Sequence, residues 1–147
     1  MSERLFRVAD VDALVPRLTE IFTAIRAEIE EVQELARDLG ERGYEVRPGH
    51  GASLDLTAPA EVQRKQQALV EISRRIAERL EVVRSLGAEV KAADGLVDFR
   101  SRLEDRIVYL CWRYGEDRVG FWHDLEGGFA ARRPLLDPEC FEGDYLQ

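Results

Sequence analysis

Cysteine is nearly absent from this sequence: Cys111 and Cys140 are the only two in 147 residues. They form no CxxC pair and no zinc-type framework, so the expectation is a reduced, cytoplasmic protein without disulfides. Long apolar runs are missing as well, and none approaches the roughly 20 residues that a membrane-spanning helix needs. The opening MSERLFRVADVDALV carries Glu3, Asp10 and Asp12 where a secretory leader would be apolar, so no leader is expected. There is no surplus of positive charge either: 21 Lys and Arg against 29 Asp and Glu give a net charge of -8. That balance argues against general binding to nucleic acid or to an anionic membrane, because both rely on basic patches.

What is present is the composition of one soluble domain, 45% hydrophobic and 34% charged. From Val11 to Leu39 the apolar residues step by three and four through Leu14, Leu18, Ile21, Phe22, Ile25, Ile29, Val32 and Leu35. This spacing predicts a long, coiled-coil-like helix, beginning or kinked at Pro16 and stopped by Gly40 and Gly43. GYEVRPGHGASLDLTAP, residues 43–59, reads as a loop, with His50 exposed in it. A second stripe through Val62, Leu69, Ile72, Ile76, Leu80 and Val83 predicts a second helix ending near Gly87.

The two helices make an antiparallel hairpin over residues 1–88. Each stripe is longer than a small sheet can cover, so the hairpin is expected to associate with a second copy of itself, giving a homo-oligomer. Residues 89–136 read as a β-meander followed by a basic loop, and 137–147 as an acidic tail that is either an ordered extension or an exchanged arm. The fold class is therefore α+β, in a single domain over 1–147: a long antiparallel helical hairpin with a small antiparallel β-sheet.

The strand pattern rests on LVDFRS (96–101), RIVYLCWR (106–113) and RVGFWHD (118–124). A two-residue turn at Gly115-Glu116 would set Arg113 opposite Arg118, Tyr109 opposite Trp122 and Val108 opposite His123. Directly opposed residues share a face. One face then holds Val97, Phe99, Val108, Leu110, Trp112, Val119, Phe121 and His123 and packs on the helices. The other holds Asp98, Arg100, Tyr109, Cys111, Arg113, Trp122 and Asp124, where aromatics beside charges make a binding surface or a subunit interface, the interface being favoured. A slip of one residue would exchange the faces.

Cys111 and His123 have the chemistry of a nucleophile and its base, or of two metal ligands, but this register puts them on opposite faces. Cys111 then reads as a small buried hydrophobe, and His123 as a hydrogen-bonded residue at the edge of the core. A His/carboxylate metal site can still be assembled from His123, Asp98, Glu116 and Asp124. Gly127, Gly128, Arg132 and Arg133 form a loop that could hold a phosphate or carboxylate, or pair with the acidic tail or a partner subunit. Tyr109, Arg113, Trp122, Arg132 and Arg133 are the candidate binding surface.

GLVDF (95–99), YLCWRYGE (109–116) and FWHDLEGGFAARRPL (121–135) resemble the signatures of domain-of-unknown-function family 2203, and FRVADVDALVPRL resembles that family's opening. The resemblance implies a small cytoplasmic bacterial protein and assigns no activity. Arg7 stands where the family tends to place a helix-capping Thr, and Asp105 where a Gly is common, which weakens the expected cap and turn.

Two functional readings follow. The first is an oligomeric interaction or scaffold module with a protein partner, and no nucleic-acid or membrane binding. The second is a metal- or anion-binding enzyme or sensor using Asp98, Glu116, His123, Asp124 and Arg132/Arg133, with a divalent metal as its cofactor. The two are separated by His123: buried and turned away from Asp98, it would end the second reading.

Overall fold

The computed structural model describes residues 4–46 and 54–144. Residues 47–53 of the expected loop, including His50, lie outside them. Two long helices and an antiparallel sheet make an α+β fold. The chain divides into two compact units, Met1–Phe22 with Leu80–Gln147, and Thr23–Arg79.

Helix α1 runs Val8–Glu41 and passes through Pro16 instead of starting there. It can start early because its first turn is capped from within. The Asp10 carboxylate accepts the Arg7 backbone N–H at 3.0 Å and also takes the Arg7 guanidinium at 3.0 and 3.1 Å. This is the third-residue half of a capping box, so the missing Thr at position 7 is replaced by an acid three residues on. The Arg7 hydrogen bonds hold the Asp10 carboxyl below its ordinary range.

At its other end α1 closes in a Schellman motif. Tyr44 N–H donates to Leu39 O at 2.8 Å and Gly43 N–H to Gly40 O at 3.0 Å. Gly43 takes φ 87°, a conformation that costs glycine little. Tyr44 then packs on a cluster of Leu39, Ala58, Val62 and Leu69.

Helix α2 runs Ala60–Ser85. Within the Thr23–Arg79 unit, Asp38 pairs with Lys65, and the buried Glu28 with Arg75 and Arg79 at 3.3 and 2.7 Å. Falling numbers on one helix meet rising numbers on the other, so the pair is antiparallel.

In the other unit, β1 (Glu89–Ala92), β2 (Leu96–Leu103), β3 (Arg106–Arg113), β4 (Phe121–Asp124) and β5 (Arg133–Pro134) form a meander in that order, and β6 (Phe141–Glu142) returns to β2. The outer edge of β2 is completed by three separate stretches. β1 pairs with it as far as Asp98, Phe6 N–H donates to Arg100 O at 2.7 Å, and β6 takes Arg102 and Leu103. The tail is thus an ordered extension of its own chain as far as Asp144. Val97, Phe99, Val108, Leu110 and Trp112 are all fully buried on one face of the sheet. Phe6 meets Phe99 edge-on at 4.9 Å, and Phe22 lies 6.1 Å from Trp112.

The β2–β3 pairing puts Asp98 and Arg100 on the face of Tyr109 and Cys111, as expected: Asp98 opposes Cys111 and Arg100 opposes Tyr109, across a two-residue turn of Glu104 and Asp105 that lies one position later than the sequence suggested. Both turn residues have positive φ, 48° and 66°, as a type I′ turn requires. The β3–β4 register does not follow the expected pattern. Gly115, at φ 101°, is the second central residue of a turn closed by Glu116 N–H to Arg113 O at 3.0 Å, one position earlier than expected. The chain then runs on to Phe121 before pairing. His123 opposes Tyr109 and Trp122 opposes Leu110, so the faces of β4 are exchanged. Cys111 and His123, expected on opposite faces, share one.

Candidate metal centre

Asp98 on β2 and Cys111 on β3 are direct cross-strand neighbours. His123 on β4 stands diagonally to Cys111 on the same face. Strands lie about 4.8 Å apart, so His123 and Asp98 are separated by two strand spacings, with the small Cys111 between them. The imidazole spans this gap: His123 Nε2 lies 3.1 Å from Asp98 Oδ2. The Tyr109 ring, 5.4 Å from the imidazole centroid, packs along its flank. Asp98 and His123 are each 2% exposed and Cys111 is fully buried. One ligand atom from each of the three lies within 4.8 Å of the other two.

The hydrogen bonds define what this trio lacks. His123 Nδ1 faces the backbone carbonyl of Asp124 at 2.7 Å, so Nδ1 carries a proton and donates it. In the neutral ring Nε2 then presents a lone pair, and it presents it to a carboxylate oxygen. Two acceptors at that distance require a proton or a cation between them. Asp98 Oδ1 is buried with no hydrogen-bond partner among the described residues. An orphaned buried acceptor costs about 1–3 kcal/mol, and more when charged. Burial, followed by the Asp98 charge, pushes the Cys111 thiol up to about 12. In the chain by itself Cys111 is therefore a protonated thiol and not a nucleophile.

A cation would satisfy all three groups. Zinc-type bonds of about 2.0–2.3 Å set tetrahedral ligand atoms roughly 3.3–3.8 Å apart. The Nε2–Oδ2 separation of 3.1 Å is close to this, and the Cys111 sulfur lies within 4.8 Å of both. A His whose Nδ1–H is fixed by a backbone carbonyl is also the arrangement that orients Nε2 onto a metal. The trio faces a cavity of about 230 Å³ lined by Lys91, Leu96 and Tyr109, and by Leu125, Glu126 and Phe129 of the loop after β4.

The other expected site residues are placed elsewhere. Glu116 is held by Arg132 at 2.7 and 2.9 Å. Asp124 lies on the opposite face, paired with Arg106 at 3.1 Å and Arg133 at 3.7 Å. Of the four residues Asp98, Glu116, His123 and Asp124, the structure brings only Asp98 and His123 together, and adds Cys111. Trp122 faces away from Tyr109, and its ring packs at 5.9 Å on Phe141. Arg113 is exposed with its guanidinium 5.2 Å from the Phe129 ring centroid. Arg132 stacks over Phe121 at 4.0 Å and donates to Cys111 O at 3.2 Å, which fixes the basic loop to β3 and not to the tail.

From residue 4 to residue 135 the chain matches a family described as "Uncharacterized conserved protein (DUF2203)". It belongs to that family. The matched span includes Asp98, Cys111 and His123. No curated protein and no solved structure matches the chain. Among the described residues no helix is long and apolar enough to cross a membrane.

Proposed function

We propose that this DUF2203 protein binds one divalent transition-metal ion through Asp98, Cys111 and His123. The observation that carries the reading is the meeting of three buried metal-ligating groups, Asp98, Cys111 and His123, with one ligand atom of each within 4.8 Å of the other two. One nitrogen, one sulfur and one oxygen ligand suit zinc or iron(II), not calcium or magnesium. Three protein ligands also leave a position open, the pattern of reactive rather than structural centres. Both cysteines are free, which supports a reducing, cytoplasmic setting.

The test is elemental analysis of protein purified without an affinity tag or chelator, beside His123→Ala and Cys111→Ser. The expected result is about one metal per chain in the parent and almost none in the variants. Parent protein that neither carries metal nor takes it up when zinc or iron(II) is offered overturns the reading.

A second reading concerns the hairpin unit, which we infer associates with a second copy of itself. Ile29, Val32, Ala36, Val46 and Ile76 line an apolar groove of about 480 Å³. The same unit exposes Leu54, Leu56 and Val70, with Leu56 81% accessible. A groove and protruding apolar residues on one unit are what an isologous contact can use. This supports the interaction role without competing with the metal centre.

A further inference from the structure

We propose that the open side of the centre binds a small monocarboxylate, held between the metal and the ammonium group of Lys91. The proposal rests on the metal reading above and goes beyond it by naming a ligand class.

The observation lies in β1. Glu89 and Val90 pair with Asp98 and Val97, but the next pair is Ala92 with Leu96, which leaves Lys91 as an unpaired extra residue. Lys91 stands two residues after Glu89, the partner of Asp98, and strand alternation puts both on the Asp98 face. It lines the cavity that Asp98, Cys111 and His123 also line. The ammonium lies 5.2 Å from the Tyr109 ring centroid and is only loosely paired, with Glu89 Oε1 at 3.4 Å. Glu89 is already engaged by the Tyr109 hydroxyl at 2.8 Å and Arg100 at 3.0 Å. Lys91 thus keeps donors for an incoming acceptor.

Charge and size narrow the ligand. With Asp98 and a Cys111 thiolate bound, a divalent ion is neutralised, and Lys91 adds one positive charge to the cavity. Glu126 lines the same cavity and disfavours a second negative charge on the ligand. Leu96, Leu125 and Phe129 offer apolar surface. The volume of about 230 Å³ equals that of roughly eight waters, below the usual range of about 300–1,000 Å³ for larger ligands. A single carboxylate on a short apolar body meets all of these conditions.

The experiment uses the full chain loaded with cobalt(II), whose ligand-field and thiolate charge-transfer bands report the coordination shell, titrated with propionate. The expected result is a saturable band shift in the parent and in Lys91→Arg, with affinity about tenfold weaker in Lys91→Met, as loss of one charge-assisted contact implies. Cobalt bands that do not respond to propionate, or that respond equally in Lys91→Met, overturn the ligand assignment and leave the metal centre standing. Absence of cobalt bands in the parent overturns both.

Discussion

Cys111 is the residue on which the proposed centre turns, since the same burial that silences it as a nucleophile would let it act as a ligand only where a cation replaces its proton. Its thiol rises from 9.0 to about 12, through burial first and the Asp98 charge second. A group with a raised folded pKa contributes stability that is complete below its unfolded value and is lost as pH climbs towards the folded one. Metal-free protein should therefore lose stability as pH rises above about 9, over the range up to about 12. Urea unfolding of parent and Cys111→Ala on either side of pH 9 checks this. The parent should show the alkaline loss and the variant should lack the part due to the thiol. At this scale Asp98 and Cys111 were legible as residues of one face, because strand alternation settles faces, but not as direct partners, because the turn lies one position later than Arg102–Asp105. His123 was not. Its strand offers adjacent aromatics, Phe121 and Trp122, so either register presents one of them to each face and the apolar pattern does not choose.

Turns and caps decided what the elements could do. The helical stripes were readable because three- and four-residue spacing survives local irregularity. Of the two readings of Pro16, a start there gives way to a helix that contains it; the Asp10 cap that lets α1 start earlier is a single side chain's hydrogen bonds. The Gly115 turn misled by one position, and one position is enough to exchange the faces of a strand. The Glu104-Asp105 turn holds two non-glycine residues at positive φ. Asp105→Gly should therefore stabilise the chain, by about 1 kcal/mol, since the left-handed conformation costs about 1–2 kcal/mol for a residue with a Cβ and glycine gives part of that back in the unfolded chain. Thermal or urea denaturation measures it. A destabilisation would mean that the Asp105 side chain is needed where it stands.

For the whole molecule, the hairpin unit carries apolar surface that its own described residues do not cover, and self-association is the consequence tested most directly. Light scattering at micromolar concentration should give a dimer or larger species. Replacing Ile29 and Val32 with Glu should shift it to monomer without loss of helix, whereas a monomeric parent ends that reading. The groove and the proposed metal ligands belong to different units, so such a variant should keep its metal content, and elemental analysis examines the two roles apart.

The completed edge of β2 bears on how the chain reaches this state. Strands β2, β3 and β4, which supply Asp98, Cys111 and His123, are consecutive and joined by short connections, so their pairing closes small loops. Sealing the edge brings Leu5 and Asp144 together across 139 positions of sequence, through the Leu5 N–H bond to Asp144 Oδ2 at 2.9 Å. Closing a loop of that length costs more entropy than closing a hairpin. The order that chain entropy favours is meander first and seam last. In that order Asp98, Cys111 and His123 would come together before the sheet is finished, and a cation captured early would template the strands around it.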